Sequence, residues 1–355
     1  MRLPDDYEER GRMSPVLATA FGAACFFILL IIIIVLVLNR EEKPASNVGS
    51  QGRPSQPQMQ EEVVQGGDLS PEDFDFWEMY PEATEAPVVA TPEPEIVEED
   101  PSKDGLHTKI INDLGEEEWI KINTQLEKHN YDFTKLVSKS QLMQYYEDGK
   151  ECSFVGVDIS KYQEYIDFNK VKKAGIDFCM VRVGARGYGT GQLVLDEYFH
   201  ENMKRATDAG LALGVYFFSQ AITEEEAIEE ANMVLEQIEA YNVTYPVAFD
   251  MEYIENDKAR VEQLTKKEKT AIAIAFLDTI KAAGYTPIIY GKKEWLIQKI
   301  DLTKLEDYDV WLAQYEDIPE YPYQFSMWQY TNKGTVDGIS GKVDLNISFI
   351  DFSEK

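Results

Sequence analysis

A chain of 355 residues has room for one large domain or two ordinary ones, with material left over for a tail. Its formal charge of −30 excludes the basic surface with which a nucleic-acid binder neutralises phosphates, and no Lys/Arg-rich run offsets it. Three cysteines cannot build a disulfide framework, and the three histidines (His107, His129, His200) stand in no metal-ligand spacing, so no zinc site and no cofactor are expected.

Taken from the N-terminus, residues 1–15 form a short tail. Residues 16–38 then run for 23 positions without a charge, longer than the roughly 20 residues a helix needs to span hydrocarbon. No A-x-A-like site follows, so the run is expected to be an uncleaved transmembrane helix. Arg2, Arg10 and Arg12 before it balance Arg40, Lys43 and Arg53 after it, so charge alone leaves its orientation open. Residues 39–105 hold nine of the fifteen prolines, and seventeen acidic residues against four basic ones. Such a segment cannot bury enough apolar surface to offset its ordering entropy, which predicts a disordered, self-repelling spacer. Its one aromatic patch, Phe74-Asp-Phe-Trp-Glu-Met-Tyr80, reads as spacer or as a docking motif.

Globular periodicity begins near residue 106. Residues 116–129 and 133–146 read as helices with Trp119, Ile122, Leu126 and Leu136 on the buried face, which makes 106–152 a small helical preface. From 153 to 355, short apolar runs alternate with amphipathic helices. The runs fall at 154–157, 178–183, 213–218, 246–249, 286–290, 310–313, 325–330 and 343–347, and the helices at 168–174, 196–209, 223–241 and 265–283. Thr223 and Thr265 are placed to cap the last two helices. This alternation predicts an α/β fold with a parallel sheet covered by helices. Eight runs, the last ones without helices between them, favour a TIM-like barrel whose late connections are loops; a doubly wound open sheet is the runner-up. Cys25 lies in the apolar run, which leaves Cys152 and Cys179 as one possible pair or as two free thiols.

Active sites of such folds lie at the C-terminal ends of the strands. Asp158 ends the first run, Asp250 and Glu252 end the fourth, and Asp344 sits in the last. Residues i and i+2 of a strand share a face about 6.6 Å apart, so Asp250 and Glu252 should both point into the barrel mouth. Singly, Asp158 also fits a turn cap with Ser160, and Asp344 an ordinary loop position. Around them gather Tyr162, Tyr188, Tyr216, Tyr290, Trp311, Tyr315, Trp328 and Tyr330, beside Gln163, Gln314, Gln329 and Arg182. Flat rings beside amides and acids suit a sugar, whose C–H faces stack while its hydroxyls take hydrogen bonds. Trp311 and Trp328 are evenly poised between site and core.

The stretches Val155-Gly-Val-Asp158-Ile-Ser-Lys-Tyr-Gln163, Gly214-Val-Tyr-Phe-Phe218, Phe249-Asp-Met-Glu252, Trp328-Gln-Tyr330 and Gly341-Lys-Val-Asp-Leu-Asn346 resemble, in order and spacing, the motifs of glycoside hydrolase family 25, the lysozymes that act as N-acetylmuramidases. The resemblance implies a barrel of five β/α units followed by three strands, and hydrolysis of the β-1,4 bond from N-acetylmuramic acid to N-acetylglucosamine in peptidoglycan. By position it makes Glu252 the general acid/base, with Asp158, Asp250 and Asp344 the other acids of the site. Tyr188, Arg182, Tyr216, Tyr290, Trp311, Gln314, Trp328 and Gln329 are then expected on the glycan. Phe217, Arg182 and Arg186 depart from residues common in the family.

Crowding of carboxylates predicts that Glu252 rests protonated and Asp250 ionised, and an i, i+2 pair fits retention of configuration better than inversion. Asp250 could serve as nucleophile or as orienter of the substrate's acetamido group. Two competing readings are a peptidoglycan-binding barrel without turnover and a magnesium-dependent phosphoesterase built on the same acids. Because peptidoglycan lies outside the cell, the helix at 16–38 is expected to be a single-pass anchor in a bacterial cell membrane, N-terminus cytoplasmic and barrel extracellular. The spacer, up to roughly 220 Å if fully extended, would carry the barrel into the wall. No protein partner is legible.

Overall fold

The computed structural model describes residues 100–112, 114–254 and 258–354. The expected tail, the span at 16–38 and nearly all of the expected spacer lie outside the described residues. Among the described residues no helix is long and apolar enough to cross a membrane.

The preface is built of strands, which corrects the helical expectation. β1 (His107–Ile111) and β2 (Glu117–Lys121) form an antiparallel hairpin. A short 3-10 turn at Phe133–Lys135 leads to a three-stranded sheet of β3 (Leu136–Lys139), β4 (Leu142–Glu147) and β5 (Lys150–Glu151). The turns explain the difference. Asp148 and Gly149 both adopt positive φ, the left-handed pair that a tight hairpin needs, and that Asp-Gly signal outweighs the apparent helical spacing. Trp119, Ile122, Leu126 and Leu136 therefore never share one helix face, and Trp119 lies 37% exposed on β2.

The barrel follows as β6 (Phe154–Ile159), α1 (Phe168–Lys173), β7 (Phe178–Arg186), β8 (Leu193–Leu195), α2 (Phe199–Asp208), β9 (Ala212–Ser219), α3 (Glu224–Ile238), β10 (Val247–Met251), α4 (Lys266–Ala282) and β11 (Pro287–Lys292). A π turn at Trp295–Lys299 and a 3-10 turn at Leu302–Lys304 stand in for a fifth helix before β12 (Asp309–Ala313), β13 (Met327–Gly334) and β14 (Val343–Ser348). Strand order is β6-β14-β13-β12-β11-β10-β9-β7, and β6 pairs with β7 to close an eight-stranded barrel. Beyond the β6 contact, β8 pairs with β7 at Gly184 to Arg186. Pairs from β6 through β7 and β9 to β13 are parallel; β14 is antiparallel to both its neighbours. Each of the eight apolar runs contributes one barrel strand. Thr223 accepts from the Glu226 N–H and Thr265 from the Glu268 N–H, so both expected caps form, the latter as a full capping box.

Period-two alternation divides the core. Val247, Phe249 and Met251 face outward into the helix layer, with Phe276 and Val234, while Ala248 and Asp250 face inward. Phe178, Met180, Ile288, Trp311 and Met327 fill the interior, each large side chain contributing roughly 1.5–3 kcal/mol by its burial. Two glycines make that filling possible. A Cβ on Gly156 would lie 2.2 Å from the Phe178 ring, and one on Gly214 would lie 2.4 Å from the Met180 sulfur. Cys152 is exposed and Cys179 buried, and both are free thiols.

The preface lies along the segment between β12 and β13. Thr108 Oγ1 donates to the Glu320 carbonyl at 3.3 Å, the Asn123 N–H to the Tyr323 hydroxyl at 2.9 Å, and the Gln324 N–H to the Glu127 carbonyl at 3.0 Å. Tyr131 stacks on Phe349 with ring centres 4.1 Å apart.

Candidate active site

At the C-terminal mouth of the barrel lies a cavity of about 250 Å³ lined by Asp158, Arg182, Tyr216, Asp250, Glu252, Tyr290, Trp311, Gln329 and Asp344, all named from sequence as site residues. Strand geometry brings them together. Asp158 and Asp344 are Cα partners across the antiparallel β6–β14 pair, Asp250 faces Tyr290 across β10–β11, and Arg182 faces Tyr216 across β7–β9. Glu252 lies one residue past the end of β10, on the same face as Asp250 because buried Met251 takes the other.

Four sequence-named residues lie elsewhere, among them Tyr330, buried in the outer core against Trp328. Trp328 is fully buried in the outer core, its Nε1 donating to the Gln314 carbonyl at 2.8 Å. With Gln329 facing inward, both neighbours must face outward. The Gln314 side chain accepts from the Glu320 N–H at 3.0 Å and shapes the loop after β12 rather than the cavity. Tyr188 is 43% exposed in the β7–β8 turn, away from the acids.

Amides and phenols hold the floor of the cavity. Asp158 Oδ2 accepts from Gln329 Nε2 and from Asn346 Nδ2, each at 2.8 Å. Gln329 Oε1 accepts from the hydroxyls of Tyr290 at 3.0 Å and Tyr315 at 2.8 Å, while Asn346 Oδ1 accepts from Trp311 Nε1 at 2.8 Å. The one guanidinium of the wall is turned away: Arg182 Nη2 meets Asp196 Oδ2 at 2.7 Å and its Nε donates to the same oxygen at 2.8 Å. Lys292 Nζ stands 3.3 Å from Glu252 Oε2, and Gln220, itself fully buried, donates through Nε2 to the Glu252 carbonyl at 2.8 Å. Asn346 and Lys292 were missed as site residues. Each sits two positions from one that was named, Asp344 and Tyr290, so the period-two rule already placed them on the inner face.

Burial sets the protonation of these acids. It lifts Asp158 to about 6 against the two amide hydrogen bonds, the Glu252 charge adding to the rise. Burial and then the charge on Asp158 lift Asp344 to about 8. Asp250, whose Oδ1 has no hydrogen-bond partner, is pushed well above the carboxylate range by burial, then by the charges of Glu252 and Asp158; Arg182 and Lys292 oppose the rise. This corrects the expected pattern at Asp250, which favours its neutral form. Carboxylate crowding alone does not set the pattern, because Asp250 is also buried.

A second hollow, about 330 Å³, lies where β12 and β13 begin, beside Leu126, Leu302 and Tyr323, and none of the acids named as catalytic lines it. Among the described residues no group of three or more His, Cys, Asp or Glu could hold a metal ion.

An acid-lined mouth on a closed β/α barrel marks an active-site architecture shared by many chemistries, and the comparisons narrow it. The sequence profile of glycosyl hydrolases family 25 matches residues 157–339, and the chain belongs to that family. Its similarity to the uncharacterized protein YegX of Escherichia coli (strain K12) is 27% identity over 197 residues, 54% of this chain and 68% of that protein. To the autolytic lysozyme of Clostridium acetobutylicum it is 24% over 200 residues, 56% of each chain. The modular autolysin LytC from Streptococcus pneumoniae, solved in complex with a synthetic peptidoglycan ligand, shares the fold with a TM-score of 0.50 at 24% identity. That match covers 68% of this chain and 56% of LytC.

Proposed function

We propose that the chain is a peptidoglycan hydrolase that cleaves the β-1,4 bond between N-acetylmuramic acid and N-acetylglucosamine. The observation that carries the reading is the convergence of Asp158, Asp250, Glu252 and Asp344 in one cavity walled by Tyr216, Tyr290, Trp311 and Tyr315. Membership of the family and the autolytic lysozyme among its relatives support it.

Glu252 is the general acid/base. It is the acid of the four that stands past its strand end, with 22% of its side chain exposed, where it can reach a glycosidic oxygen. The cavity stores the proton on Asp250. Transfer to Glu252 on substrate binding equips it to protonate the leaving oxygen, and leaves Asp250 ionised to hold the N–H of the substrate's 2-acetamido group as its carbonyl oxygen attacks the anomeric carbon. Water, deprotonated by Glu252, then opens the resulting ring with retention of configuration. Asp158 is fixed by Gln329 and Asn346 and sets the charge of the pair from below.

Mass spectrometry of borohydride-reduced digestion products tests the bond. Muramitol ends are expected; glucosaminitol ends would replace this reading with a glucosaminidase.

Residues 16–38 anchor the enzyme in a bacterial cell membrane, N-terminus cytoplasmic and barrel outside, because the substrate is outside. Protease added to intact spheroplasts should remove the barrel; a protected barrel would contradict the topology.

A further inference from the structure

A cavity of about 380 Å³ adjoins the catalytic one and shares Tyr315 with it. Lys292, paired with Glu252, lies on its wall, so a polymer passing Glu252 enters this space directly. Its far side is β1, which lies outside the stretch matched by the family profile.

The lining is unlike that of a sugar subsite. Lys109, Lys292 and Lys293 face Glu294, Glu316 and Glu320, with Tyr315 as the one aromatic ring. Interspersed charges of both signs complement a zwitterionic chain better than a neutral pyranose. Lys293 sharpens the point. Its side chain is 3% exposed, its Nζ stands 3.5 Å from Glu320 Oε2, and burial holds the ammonium below the ordinary lysine range. A ligand carboxylate would complete its pairing.

We propose that this cavity, built by the β1–β2 hairpin against the loop after β12, binds the short peptide borne by muramic acid in the glycan. The proposal rests on peptidoglycan being the substrate. The hairpin thereby makes the enzyme selective for peptide-bearing glycan.

The test compares kcat/KM of the full-length chain on peptide-bearing glycan and on the same glycan stripped of peptide by an amidase. The wild type should prefer the peptide-bearing form by about tenfold. The Lys109→Ala/Glu316→Ala variant, altered at two solvent-accessible positions outside the catalytic machinery, should lose that preference through KM while its rate on stripped glycan stays unchanged. Lys109→Glu, a charge reversal at the same rim, should do the same. A wild type that cuts both substrates equally, or variants that retain the preference, would overturn the proposal. A wild type that cuts neither would instead overturn the function on which it rests.

Discussion

Two clusters of buried acid stand on this barrel and are treated in opposite ways. Outside the sheet, Glu230 on α3 is fully buried and meets Arg186 Nε at 2.7 Å; Arg186 also reaches Glu229 at 3.1 Å, and Arg260 pairs with Glu226 at 2.8 Å. Inside the mouth, Asp158 and Asp250 are almost as deeply buried, but Asp158 meets two amides and Asp250 Oδ1 has no hydrogen-bond partner, while Arg182 is committed to Asp196. A cation fixes an acid in its charged form; amides position it and leave its proton exchangeable. Burial still lifts Glu230 to about 7 despite Arg186, so the size of a shift does not separate a structural acid from one available for chemistry. For these deeply buried acids the partner differs instead: Glu230 meets a guanidinium and Asp158 two amides.

The contrast can be broken by substitution. Asp250→Asn should lower kcat by about 10³-fold while leaving the melting temperature within a few degrees, because it removes the exchangeable proton yet keeps a neutral side chain of the same shape where the fold already favours a neutral one. Steady-state kinetics on purified peptidoglycan reads the first and thermal unfolding the second. Arg186→Ala should do the reverse. It strands Glu230 without its cation and should cost about 3–5 kcal/mol of stability in urea titrations, with kcat little changed in whatever fraction stays folded. Equal damage to activity and stability from both variants would erase the distinction.

Asp344 offers a finer test. Its folded value is raised from 3.8 to about 8, so between those values the folded state binds more protons than the unfolded state, and its contribution to stability falls as pH rises through that window. Asp344→Asn should therefore raise stability at pH 8 by about 1 kcal/mol and have little effect at pH 4. The wild-type kcat/KM should decline as pH rises through about 8, where a second negative charge appears opposite Asp158, and the variant should lack that limb. An unchanged stability difference across the window would sever the link between burial and protonation.

Much of this arrangement was legible in the sequence because a barrel strand reports itself by period two. The run from Val247 to Glu252 alone assigned Met251 outward and Asp250 and Glu252 inward. The same rule, applied to Gln329, would have removed Trp328 from the site. What stayed hidden depended on contacts between distant segments: Gln220 under Glu252, and β1 beside Lys293. The preface misled because its apolar residues fit a helical spacing while the Asp148-Gly149 turn required a hairpin. The protonation of Asp250 was hidden for a related reason, since its burial is a property of the closed barrel.

In the proposed mechanism Glu252 is the group that moves the proton. Release of new reducing ends from purified peptidoglycan by Glu252→Gln, set beside wild type at equal folded concentration, tests this directly. The prediction is a loss of at least about 10³-fold with an unchanged thermal transition. A folded Glu252→Gln enzyme that retains most of its turnover would contradict it.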